Sequence, residues 1–129
     1  MQTRDQGNIA ENLARSWLQH HGYRFIEANY HRRVGEIDLI MQHPDERTVV
    51  FVEVRFRSRQ QFGGALESVD FRKQRKLRRT ANAWLQQHAD DMTPARIDVL
   101  ALSPADENTP LQQCWHSHQV LWVINAVEE

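Results

Sequence analysis

Apolar residues recur at helical spacing in the first stretch of the chain. Ile9, Ala10, Leu13, Ala14, Trp17 and Leu18 fall on one face, which predicts a helix from about Asp5 to His21. Gly22 follows as a C-terminal stop. Tyr23 to Tyr30 then reads as a strand containing Phe25 and Ile26, and Arg32, Arg33 and Val34 lead into a turn at Gly35. Glu36-Ile-Asp-Leu-Ile-Met41 and Thr48-Val-Val-Phe-Val-Glu-Val-Arg55 are the strongest strand signals, the second β-branched and mostly apolar. His43-Pro-Asp-Glu-Arg47 between them has turn chemistry, so the pair predicts a β-hairpin. A loop with Gly63 and Gly64 precedes a long helix from Asp70 to about Ala89, whose apolar positions include Phe71, Leu77, Ala81, Trp84 and Leu85. Arg96 to Leu102 predicts a further strand, Ser103 to about Gln113 a polar loop, and Val120 to Asn125 a last short strand. The order is helix, three strands, helix, two strands, which is an α/β chain.

A chain of 129 residues, 40% hydrophobic and 26% charged, is expected to form one folded domain over 1–129 and to bury a core without disulfides. Its one cysteine, Cys114, excludes an intrachain disulfide and a cysteine-based zinc finger. The longest apolar run, Val120 to Ile124, is too short to span a membrane, and the N-terminus lacks the apolar core of a secretory signal. A cytoplasmic protein with no membrane partner is expected.

Formal net charge is −1, but its distribution is uneven. Between Arg55 and Arg79 nine basic residues stand against only Glu67 and Asp70. Fourteen of the sixteen basic residues are arginine, whose planar fork suits phosphate. Arg72, Arg75, Lys76 and Arg79 line one stripe of the second helix, with Lys73 and Arg78 off it, and Arg57 and Arg59 continue outward from Arg55. This pattern points to a polyanion held by its backbone, since only Phe56, Phe62 and Phe71 are interleaved to stack on bases. A solvated helix face explains the same stripe without any partner.

The hairpin places specific chemistry. If its centre lies between Asp45 and Glu46, Asp38 faces Glu53 and Glu36 faces Arg55, all four on one polar patch. Opposed carboxylates repel, so a shared proton, a cationic side chain or a metal ion must offset them. A hard divalent cation such as Mg²⁺ suits such oxygen ligands and could polarise a phosphodiester. A salt-bridge cluster neutralised by Arg55 fits the spacing equally well. Cys114, His116 and His118 alternate and could share a strand face for zinc, though a polar edge strand accounts for them too. His31, beside Arg32 and Arg33, could touch phosphate; the other histidines read as surface residues, and the four tryptophans as core or interface anchors. The chain has neither a phosphate-cradling glycine loop nor a serine nucleophile elbow.

Gly35-Glu-Ile-Asp-Leu-Ile40 followed by Phe51-Val-Glu-Val-Arg55 resembles the YraN family of uncharacterised bacterial proteins. Gly7 with Glu11, Asn29, Phe62-Gly63, Lys73-Gln74 and Arg96-Ile-Asp98 extend the likeness over about Gly7 to Leu102. That family is similar to Holliday junction resolvases and to restriction-endonuclease-like nucleases with a PD-(D/E)xK motif. The resemblance implies a restriction-endonuclease-like core of helix, three strands, helix and strand, with a mixed central sheet. It implies that Asp38, Glu53 and Glu11 hold Mg²⁺ or Mn²⁺, with Glu36 as a supporting partner. Arg55 stands where the family pattern has lysine; it cannot act as a base but can stabilise charge on phosphate. Lys73 is the candidate to supply the missing ammonium. The function implied is a metal-dependent endonuclease acting on nucleic acid, DNA favoured, with a homodimer left open. The alternatives are a non-catalytic nucleic-acid-binding module whose carboxylates only pair with Arg55, and a protein-interaction subunit whose basic helix meets an acidic partner.

Overall fold

The computed structural model describes residues 4–57, 64, 67–90, 92–104 and 118–127. Its elements in chain order are α1 (Arg4–His20), β1 (Arg24–Arg32), β2 (Gly35–Gln42), β3 (Val49–Phe56), α2 (Phe71–His88), β4 (Ala95–Pro104) and β5 (His118–Val123). The strands form one mixed sheet in the order β1-β2-β3-β4-β5. The first three pair antiparallel through short turns. β3 and β4 pair parallel from Val49↔Ala95 to Phe56↔Leu102. A parallel join needs a long crossover, and α2 supplies it. β5 returns antiparallel along β4.

Each helix buries one stripe against one face of the sheet. Ala10, Leu13, Ala14 and Leu18 of α1 pack with Leu39, Met41, Val50, Val52, Leu100 and Leu102. Leu77, Ala81 and Trp84 of α2 pack with Ile37, Ile40, Phe51, Ile97 and Val99 on the opposite face. Alternate strand positions serve the two layers, which is why β3 is apolar along most of its length. Gly22, at φ +90, ends α1 as expected. Asp70 caps α2, accepting the Lys73 amide at 2.9 Å.

The α/β order read from the pattern is the order observed, and the mixed sheet with helices on both faces is compatible with a restriction-endonuclease-like core. Two details differ. β4 continues through Ser103 and Pro104, expected in a loop, because β5 starts at His118 and pairs with them. Phe71, expected among the apolar positions of the helix, is 82% exposed. It opens α2 on a flank turned from the stripe of Leu77, Thr80, Ala81 and Trp84 that meets the sheet. Arg59, Phe62, Gly63, Cys114, Trp115 and His116 lie outside the described residues, so the zinc alternative does too. Among the described residues no helix is long and apolar enough to cross a membrane.

Candidate functional site

The hairpin adopts the expected register, running from Gln42↔Val49 to Leu39↔Val52. Asp38 and Glu53 are the next positions in that register, and there the ladder stops. Instead of a backbone partner on β2, the Val54 amide donates to Asp38 Oδ2 at 2.8 Å. β2 therefore parts from β3 at the two acidic residues.

The same row is irregular on its other side. β1 and β2 pair at Ala28↔Leu39 and at Tyr30↔Ile37, which brackets Asn29 and Asp38. Ala28 and Leu39 belong to the α1 layer, whereas Tyr30 and Ile37 belong to the α2 layer. Residues two apart on a regular strand share a face. Both strands thus change face across this pair. Asn29 absorbs the change in a left-handed conformation, φ +54, which asparagine tolerates better than most residues.

Glu53 is only 3% exposed, and its side chain faces α2. Lys73 Nζ stands 3.0 Å from its Oε2 and an Arg55 Nη nitrogen 3.4 Å away. These contacts are ionic rather than directional: among the described residues Oε2 accepts no well-aligned hydrogen bond, and the buried Nε of Arg55 donates none. Asp38 is pushed well above the ordinary carboxyl range, first by burial, then by a hydrogen bond to Glu53 and the charge of Glu53; the Val54 amide opposes the shift and Glu11 adds to it. Glu11, on α1, is also raised, mainly by burial. A hydrogen bond to Asn29 opposes that shift, and the charges of Glu36 and Glu53 reinforce it. Arg57 is lowered by burial and by the charge of Arg55. The repulsion expected between Asp38 and Glu53 is thus offset in two ways at once, by cations on Glu53 and by a proton favoured on Asp38.

The structure brings together Asp38, Glu53, Arg55 and Lys73 from three elements. Glu11 approaches from the other helix and is held by Asn29. Glu36 does not meet Arg55: it is exposed, pairs with His31 on β1 and lies 3.6 Å from its Nδ1. Among the described residues no three His, Cys, Asp or Glu side chains stand close enough to form a ligand set as they are. Arg57 is half-buried at the end of β3. Arg72, Arg75, Lys76 and Arg79 are exposed along α2, as the stripe predicts. Arg75, Arg78, Arg79 and Asn82 line a cleft of about 820 Å³ beside Ile97 and Val127, whereas Lys76 lies on the other flank, by Gly35. Arg96 and Asp98 are structural. Asp98 is fully buried, 3.1 Å from Arg96 Nε, and accepts from Trp122 Nε1 at 2.9 Å and the Asn125 amide at 2.8 Å. Asn29 had no role assigned from sequence; the signal that could have found it is an asparagine near the end of the expected strand Tyr23 to Tyr30.

Fold and site together define an α/β protein with a carboxylate–cation centre where two central strands part. The chain belongs to the uncharacterised protein family UPF0102, the YraN group its motifs resemble, whose profile matches residues 10–102. It is 40% identical over 128 residues to a UPF0102 protein of Photobacterium profundum, covering 98% of this chain and 92% of the other. It is 49% identical over 102 residues to one of Enterobacter, covering 78% and 76%. A third, from Alcanivorax borkumensis, is 41% identical over 124 residues, covering 95% and 91%.

Proposed function

We propose that this protein binds nucleic acid, DNA by preference, and hydrolyses phosphodiester bonds with Mg²⁺ or Mn²⁺. One observation carries the reading. Among the described residues the buried Glu53 Oε2 is met only by ionic contacts, from Lys73 at 3.0 Å and Arg55 at 3.4 Å, and beside it the buried Arg55 Nε donates no hydrogen bond. Such groups are costly unless something else uses them. A cation suits the first and a phosphate oxygen the second, so the two together fit a metal-bound phosphodiester.

Asp38 and Glu53 would hold the ion, and Glu11 stands near enough in charge to complete the set from α1. Two carboxylates are enough for Mg²⁺, which takes its remaining ligands from water and phosphate. When bound, the ion polarises the phosphodiester and acidifies a water. Arg55 stays protonated, so it aligns phosphate and stabilises the charge that develops there. Lys73 adds a second positive charge on the α2 side of Glu53. The exposed arginines of α2 hold the flanking backbone.

Titration calorimetry with Mn²⁺ on the native protein and on Asp38→Ala tests this, alongside cleavage of labelled DNA. The variant should lose cation binding and cleave slower by roughly 10²-fold or more, while DNA affinity is unchanged. Unchanged cleavage in a preparation free of contaminating nuclease overturns the mechanism. A second reading has its own support: Lys73 and Arg55 already neutralise Glu53, as they would in a non-catalytic binding module. That module predicts no cation binding even with DNA present.

A further inference from the structure

We propose that the flank of α2 headed by Phe71 is a track for single-stranded DNA, in which Phe71 stacks on an unpaired base and Arg75, Arg78 and Arg79 hold the phosphates. The proposal rests on the nucleic-acid reading above and names the form of the strand.

Phe71 is 82% exposed at the first turn of α2. The Asp70 cap fixes that turn, so the ring is presented from an ordered position. Phe71, Arg75, Arg78 and Asn82 follow one another at steps of four, three and four residues, which places them on one flank of a helix. Arg75, Arg78, Arg79 and Asn82 line the cleft between α2 and β4, so this flank borders an open channel rather than the core. From Phe71 to Asn82 the helix rises about 16 Å at 1.5 Å per residue. That is the length of about five stacked nucleotides of one strand.

The combination of an aromatic platform and a cationic groove is what binds single strands without reading sequence. In an intact duplex the base faces are already stacked on each other, so a phenyl ring gains contact only by unstacking them. A free strand offers the face at no such cost. Lys73, two residues on, points to the other side of the helix, where it reaches Glu53 at 3.0 Å, so the track runs along α2 on the flank turned from the carboxylate pair.

The test uses a 12-nucleotide oligodeoxynucleotide carrying 2-aminopurine, single-stranded or in a blunt duplex, in EDTA to prevent cleavage. The wild-type protein should prefer the single strand by about tenfold and quench the probe. Phe71→Ala should lose about tenfold in single-strand affinity with duplex affinity unchanged, and Phe71→Trp should restore both binding and quenching. Matching circular dichroism melts establish that the variants are folded. Equal single-strand affinity for Phe71→Ala and wild type, or a wild-type preference for duplex, overturns the track while leaving the nucleic-acid reading in place. Failure of the wild type to bind either form overturns both.

Discussion

Asp38 carries the main physical conflict of the site at the scale of one residue. Burial and the neighbouring Glu53 favour its protonated form, so its pKa in the fold lies well above its ordinary value. The folded protein then binds that proton more tightly than the unfolded chain does. Stability contributed by the proton is complete below the ordinary carboxyl value and is lost as pH rises through the window up to the folded value. Asp38 is therefore expected to cost stability as pH rises through that window. Asp38→Asn removes the charge and keeps an oxygen for the Val54 amide. The variant should be more stable than wild type at pH 7 by about 1–2 kcal/mol, with the gap closing towards about pH 4. Thermal melts across that range check it; a variant less stable at pH 7 would show that the carboxylate is held, not tolerated.

At the scale of elements, the site depends on how α2 docks against the β1–β2 hairpin. Gly35 begins β2 at φ +150, and a Cβ there would lie 2.9 Å from Thr80 Oγ1 and 3.4 Å from Lys76 Cβ. Thr80 cannot easily yield, since it is buried and donates to the Lys76 carbonyl at 2.7 Å. Gly35→Ala should cost about 1–3 kcal/mol through strain and crowding, read as a lower urea midpoint. The same docking explains Lys73. It precedes Leu77 by one turn, on the flank that continues through Thr80 and Trp84 to the sheet. The sequence shows that Lys73 leaves the basic stripe, and a lysine in line with apolar positions is a legible signal. Its partner is not legible, because Glu53 and Lys73 meet only when helix and sheet are packed.

At the scale of the whole molecule, the uneven charge is the governing quantity. A net charge of −1 conceals a basic segment from Arg55 to Arg79, most of whose described residues lie on α2 or at the end of β3. Binding through that surface should weaken steeply with salt, and Arg75→Ala or Arg79→Ala should each lower the slope of log affinity against log salt by about 1. Fluorescence anisotropy with one DNA at several salt concentrations measures it. An unchanged slope in both variants would instead favour the helix meeting an acidic protein partner.

The sequence by itself determined the elements, their order and the hairpin register. Those follow from periodicity and turn chemistry, which act over a few residues: the turn at His43–Arg47 aligns Leu39 with Val52 whatever packs above it. The opposition of Asp38 and Glu53 was legible for the same reason. Only the tertiary structure decided how that opposition is resolved. It opened the ladder at Asp38, turned β1 and β2 across Asn29 and Asp38, turned Glu36 toward His31 and set Lys73 on Glu53. It also left Phe71 in solvent. Each of these is a competition among groups distant in sequence for one buried or exposed place, and which group wins depends on helix docking that no local pattern encodes.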